Sequence, residues 1–385
     1  MGITVIRRVA YTCSTISENS YLFFTQNRLL TLAIYMKNLK SILALCLLIW
    51  GATTLQGQDI HFSQFYMSPL NLNPAMTGVM NCNVRIATNY RNQWASVLRT
   101  NSFRTYSVSY DQRIPVGRYD YFGVGGTFWG DRAGEGNFAT LTGKLSGSYS
   151  KQISGGRKKA SYLVVGAEGG LAQRSIDFLN LRWGTQHNGE GGFDPTLPSQ
   201  EDKFNRDNFL FADMAAGLLY FHRNGNKNLY IGGAFHHLNR ANQSFDTETE
   251  DLIFSRFTIH GGGEFPTSSG KIGILPGFIV MRQGPSFQIN AGTSLRFMLD
   301  QSKDNYQAFQ LGLWGRVANK LENGYLTDAV IASTRFDFND LSLGFSYDIN
   351  ISQLKPASNS QGSFEFSLIY KICGMERRGV YCPNF

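Results

Sequence analysis

The chain has 385 residues, enough for two soluble domains or one large barrel. Charged residues make up 17%, low beside the roughly 25% of soluble domains, whereas aromatics reach 14% and glycines number 41, as interfacial girdles and tight turns require. The net charge of +8 suits an anionic lipid surface or an acidic partner, but no compact run interleaves Lys/Arg with aromatics, which argues against nucleic acid.

Residues 1–35 look like neither a signal nor a domain, so the expected start is Met36. Met36, Lys37 and Lys40 form a basic head, Ser41 to Trp50 is almost wholly apolar, and small and polar residues lead to Gly57 and Gln58. Residues 1–57 are therefore read as an upstream extension and a secretory signal peptide, too short for a spanning helix. Cys46 invites lipidation, yet Leu45 stands where a small residue is needed. No later segment approaches the roughly 20 apolar residues of a membrane helix.

From 58 to 82 the chain is expected to be irregular. Pro69 and Pro74 break ladders and helices, and Asn73-Pro74 favours a turn. With Phe62, Phe65 and Tyr66, this leader suits a plug in a barrel lumen, a contact for a periplasmic partner, or packing on the barrel rim.

Residues 83–385 are predicted to form a transmembrane antiparallel β-barrel of about 14 strands. The strands fall at 83–97, 101–113, 120–131, 137–151, 159–173, 209–222, 227–240, 253–264, 272–282, 285–298, 306–317, 325–337, 340–351 and 361–372. Most reach the roughly 9–11 residues that a tilted strand needs to cross a bilayer. Pro276 interrupts one strand and 137–151 alternates poorly, so twelve and sixteen are the neighbouring counts.

Alternation is strictest near the C-terminus. Leu341, Leu343, Phe345, Tyr347, Ile349 and Ile351 take turns with Ser342, Gly344, Ser346, Asp348 and Asn350. The strand at 285–298 repeats the pattern, as does 361–372 with Ile369 as its exception. In strand one, Val84, Ile86, Thr88, Tyr90 and Trp94 share a face opposite Arg85, Asn89, Arg91 and Gln93. An Arg facing lipid near mid-membrane costs about 2–4 kcal/mol, so the arginines should face a wet lumen. There Arg85, Arg91 and Arg296 are expected to pair with Asp348 or Glu365.

An even number of strands returns the chain to the periplasm, and the longest connections, 174–208 and 241–252, then fall outside. Such a secreted chain belongs in the outer membrane of a Gram-negative bacterium. Removal of the signal leaves Cys82, Cys373 and Cys382. First and last strands adjoin in a closed barrel, so Cys82 is expected to pair with Cys373 or Cys382 at the periplasmic rim.

Read in order, the segments carry a resemblance. The leader holds His61, Phe62, Ser63, Gln64 and Phe65, then Asn73 and Pro74; strand one holds Arg91, Asn92, Gln93 and Trp94. Gly130 to Gly134, Phe235 to Asn239 and Phe345 to Asn350 follow. The series resembles the PorP/SprF family of outer-membrane proteins in the type IX secretion system of Bacteroidetes. The resemblance implies a barrel akin to the long-chain fatty-acid transporter class, working in secretion. It also implies contact with periplasmic ring and motor proteins, and with secreted cargo or surface adhesins of gliding motility. It assigns no role to the single motif residues.

No catalytic, cofactor or metal constellation is read. His236 and His237 adjoin, and neighbours on a strand point to opposite faces, so sharing a metal even with His260 is disfavoured. Gly123, Gly125, Gly126 and Gly130 lack the spacing and following helix of a phosphate loop, and no Gly-x-Ser-x-Gly occurs. The expected function is a non-enzymatic secretion component; the alternative is an outer-membrane uptake channel for hydrophobic or small solutes.

Overall fold

Alternating side chains leave every strand with one face for lipid and one for the interior, and closure gives every backbone N–H and C=O a neighbour. In a computed structural model of the protein, fourteen antiparallel strands close in chain order, with β1 against β14. They are β1 (Val84–Gln93), β2 (Phe103–Val116), β3 (Asp120–Ala133), β4 (Phe138–Gly155), β5 (Lys159–Ser175), β6 (Asn208–Asn224) and β7 (Lys227–His236). Then follow β8 (Arg256–Pro266), β9 (Ile272–Gln283), β10 (Ser286–Gln301), β11 (Tyr306–Asn319), β12 (Tyr325–Phe338), β13 (Leu341–Asn350) and β14 (Gln361–Ile372). The structure describes residues 59–155, 159–189, 192–199, 206–302, 305–319, 324–353 and 355–374. The signal segment and Cys382 lie outside the described residues.

Two strands end earlier than the alternation suggests, for one reason. Trp94 (φ 58°) and His237 (φ 56°) adopt left-handed backbone, which a ladder cannot continue. Trp94 thus leaves the face assigned to it and opens a helical turn, Ala95–Leu98. Pro276 does not interrupt β9. Its missing donor falls where β8–β9 pairing lapses, between Gly262↔Gly277 and Phe265↔Ile274. In β4 the inward Thr142, Lys144, Ser146 and Ser148 are buried, and outward Gly143 and Gly147 had blunted its alternation.

The outward face is that of a membrane protein. Leu145 is 77% exposed and Leu313 63%, amid a belt of exposed aliphatic and aromatic side chains that suits a lipid surround. Among the described residues no helix is long and apolar enough to cross a membrane; the strands cross it. The start of β1 and the end of β14 share one rim, where Cys82 and Cys373 form a disulfide with Cα atoms 4.3 Å apart. The long connections between β5 and β6 and between β7 and β8 lie at the other rim, which is therefore the outer one.

Among the described residues the interior is filled by side chains and the leader. Tyr121, Tyr162, Val164, Leu219, Phe221, Ile279, Trp314 and Ile331 point inward and form one apolar core with Phe65, Leu72, Ala75, Met76 and Val79 of the leader. Ile369, the exception to alternation in β14, packs inward with Met67 and Ala87. Residues 59–82 touch side chains from strands around the whole circumference, so they lie within the lumen. They include 3-10 turns at Phe65–Met67 and Pro74–Met76 and one α-helical turn at Pro69–Leu72.

Candidate functional site

The leader's first residues have no ladder of their own, so their backbone groups must be satisfied by the lumen wall. Glu365 accepts from the Ser63 and Gln64 amides at 2.5 and 2.9 Å. Arg91 donates to the His61 carbonyl at 2.6 Å and lies 3.4 Å from Glu365 and 3.5 Å from Asp348. The Ser63 hydroxyl donates to Asp348 at 2.8 Å and accepts from Arg316 at 3.1 Å. Arg316 also pairs with Asp348 at 2.8 Å, and Asn290 donates to the Ser63 carbonyl at 3.3 Å. Burial, then the Arg91 and Arg316 guanidinium groups, holds the His61 imidazole well below its usual range and keeps it neutral.

Farther along, the leader is held by shape. The Asn73 side chain accepts from the Ala75 amide at 2.8 Å, capping the Pro74–Met76 turn. It also donates to the Leu218 and Gly233 carbonyls at 3.1 and 3.2 Å. Such close approach needs bare wall. A Cβ on Gly217 would sit 1.9 Å from Asn73 Oδ1, and one on Gly166 would sit 2.5 Å from the Ala75 backbone. At the inner end Arg85 donates to Asp111 at 2.8 Å and to the Met76 carbonyl at 3.0 Å, while Asp111 accepts from the Gly78 amide at 2.7 Å.

A second ionic cluster fastens Asp59 below the outer rim. His237 bonds Asp213 at 2.8 Å through Nδ1 and Asp59 through Nε2. Arg256 lies 3.4 Å from Asp59 and donates to the Ile60 carbonyl at 3.1 Å. Lys144 bridges Glu168 and Asp213 at 3.0 and 2.7 Å. Burial alone would depress the His237 imidazole; the Asp59 and Asp213 carboxylates outweigh it and lift it to about 9. Burial opposes ionisation of Asp59 as well, yet His237 and Arg256 hold its carboxyl well below the usual range.

Of the motif residues, the structure brings His61, Phe62, Ser63, Gln64, Phe65, Asn73, Pro74 and Arg91 into this interior. Asn92, Gln93 and Trp94 are elsewhere, at the outer end of β1, where Trp94 meets Phe103 edge-on at 5.4 Å. Arg91 takes the expected Asp348 and Glu365. Arg85 does not: its partner is Asp111, directly opposite in the β1–β2 register. Arg296 pairs instead with Glu264, reaching across Gly273, its own partner on β9, which has no side chain to block the way. His236 and His237 are both buried, against the expected opposite faces, because the left-handed backbone of His237 turns its ring inward. His260 lies elsewhere, 3.0 Å from Asn73.

The wall residues Lys144, Glu168, Asp213, Arg256 and Arg316 escaped the sequence reading. The available signal was a charge in mid-strand on the polar face, which demands a partner in a low-dielectric interior. The arrangement's chemistry is binding: charge-assisted hydrogen bonds that fasten a segment.

No curated protein matches the chain. Similar solved structures include CdiB from Acinetobacter baumannii, 9% identical, covering 75% of this chain and 60% of that one, with a TM-score of 0.42. BamA from Haemophilus ducreyi lacking POTRA domains 1–3 is 9% identical over 75% of this chain and 70% of that one, TM-score 0.36. A bacterial polysaccharide outer membrane secretin is 8% identical over 76% and 99%, TM-score 0.34. The chain thus spans less than two thirds of the CdiB chain it matches. The family model described as type IX secretion system membrane protein PorP/SprF matches residues 54–370. With its closed barrel and lipid-facing belt, the chain belongs to the PorP/SprF family, an outer-membrane component of type IX secretion.

Proposed function

We propose that this protein is a closed, non-enzymatic docking component of the secretion system. It holds secreted or surface-attached cargo at its outer rim and contacts ring or motor proteins at its periplasmic rim. The observation that supports this over solute uptake is the filled lumen. Among the described residues, three cavities beside the leader hold about 30, 40 and 20 Å³, room for a few waters each. A barrel stoppered by its own chain offers two decorated rims and an outer face for partners.

Deleting the gene is expected to abolish surface display of a cargo. Purification in mild detergent followed by mass spectrometry is expected to recover periplasmic ring proteins. Normal display and secretion after deletion would refute the proposal. Steady ohmic conductance by the purified protein in planar bilayers would favour uptake instead.

A further inference from the structure

One stretch of the lipid-facing wall carries a groove. Phe235 on β7, Phe257 on β8, Arg282 on β9 and Phe287 on β10 are successive Cα partners across four strands near the outer rim. The Phe235 and Phe257 rings lie 4.3 Å apart by centroid, and Phe257 remains 57% exposed. The β7–β8 connection supplies two further walls. Phe254 covers Gly284, where an added Cβ would come within 2.5 Å of its ring. Arg240, earlier in the same connection, stands on left-handed backbone, φ 43°. Together these residues border a groove of about 790 Å³.

Arg240 and Arg282 are exposed, and neither has an ion-pair partner among the described residues. This face lies in a bilayer, so lipid covers it. A guanidinium is costly at mid-membrane, by about 2–4 kcal/mol, and nearly free at headgroup depth, so two arginines near the strand ends are assigned to headgroup depth. Its planar fork matches phosphate oxygens, and the aromatic floor beneath matches a hydrocarbon chain. We propose that the groove is a binding site for a phosphate-bearing, acylated lipid of the outer leaflet. The phosphate rests on Arg240 and Arg282, and an acyl chain lies along Phe235 and Phe257.

Native mass spectrometry of the full chain in mild detergent tests this with dioleoyl phosphatidic acid as the probe. Dioleoylglycerol lacks the phosphate and inorganic phosphate lacks the chains. The wild type is expected to retain phosphatidic acid but not dioleoylglycerol, with no displacement by equimolar inorganic phosphate. Arg240→Ala/Arg282→Ala, two exposed changes, is expected to weaken retention roughly ten- to a hundredfold. Heat-modifiable gel migration verifies that the variant barrel is folded, and Phe257→Ser is expected to weaken retention from the chain side. Equal retention by the wild type and the double variant would overturn the proposal. So would equal retention of dioleoylglycerol, or displacement by phosphate, which would mark a plain anion site.

Discussion

Glu365→Ala should unfasten the first half of the plug and leave the second half seated. Glu365 is fully buried and is the acceptor for two leader amides as well as a partner of Arg91. Its loss leaves two buried amides without an acceptor and takes from Arg91 one of its two carboxylates, Asp348 and the His61 carbonyl remaining, at about 3–5 kcal/mol in all. At about 1.4 kcal/mol per tenfold, local opening of residues 60–64 becomes roughly two to three and a half orders of magnitude more frequent. The next residues do not depend on that carboxylate. Phe65, Met67, Leu70, Met76 and Val79 are buried, at about 1.5–3 kcal/mol each, so on the order of 10 kcal/mol keeps 65–79 in place. Hydrogen–deuterium exchange resolved by peptide is the assay. Protection is expected to fall at 60–64 and to persist at 65–79 and in the strands. Unchanged exchange at 60–64, or loss of protection along the whole leader, would refute the reasoning.

Gly166→Val should push the leader off the wall, because even its Cβ meets the Ala75 backbone at 2.5 Å; overpacking of this kind costs about 1–3 kcal/mol. Gly143→Ala, whose Cβ meets nothing nearer than 3.9 Å, is the outward control and should leave the thermal midpoint unchanged; equal effects would count against a seated plug. The Asp59–His237 contact should also respond to pH. His237 is raised above its ordinary 6.5 to about 9, so its contribution is complete below 6.5 and lost as pH climbs through about 9. Asp59 is depressed, so its contribution is present above 3.8 and lost as pH falls below that value. Exchange at residues 59–62, corrected for intrinsic rates, is expected to be slowest between those limits, and tightening between pH 7 and 10 would contradict it. Reduction of the Cys82–Cys373 disulfide is expected to cost about 2–4 kcal/mol of stability. Non-reducing peptide mapping that linked Cys82 to Cys382 would show the rim is joined otherwise.

The strands were legible because membrane barrels write their two environments into every second residue. β13 illustrates it: Leu343, Phe345, Tyr347 and Ile349 are exposed while Ser342, Ser346 and Asp348 are buried. Strand ends were less legible at Trp94 and His237, where the backbone leaves the ladder although side-chain character does not change. The packed interior did leave a trace. Tyr162 to Val165 and Leu218 to Phe221 are apolar on both faces, as strands covered on both sides are. Read that way, they would have marked β5 and β6 as walls against an apolar filling.

Periodicity determined the barrel, a strand number near fourteen and, in most strands, which side chains face lipid, because a repeat of two residues is a local property of extended backbone. Tertiary structure decided which interior groups meet: Arg85 with Asp111, Arg296 with Glu264, Glu365 with the amides of Ser63 and Gln64. Those pairings depend on strand register, on gaps such as Gly273 and on the path of a leader hundreds of residues away in the chain. No repeat along the sequence encodes a distance across a lumen.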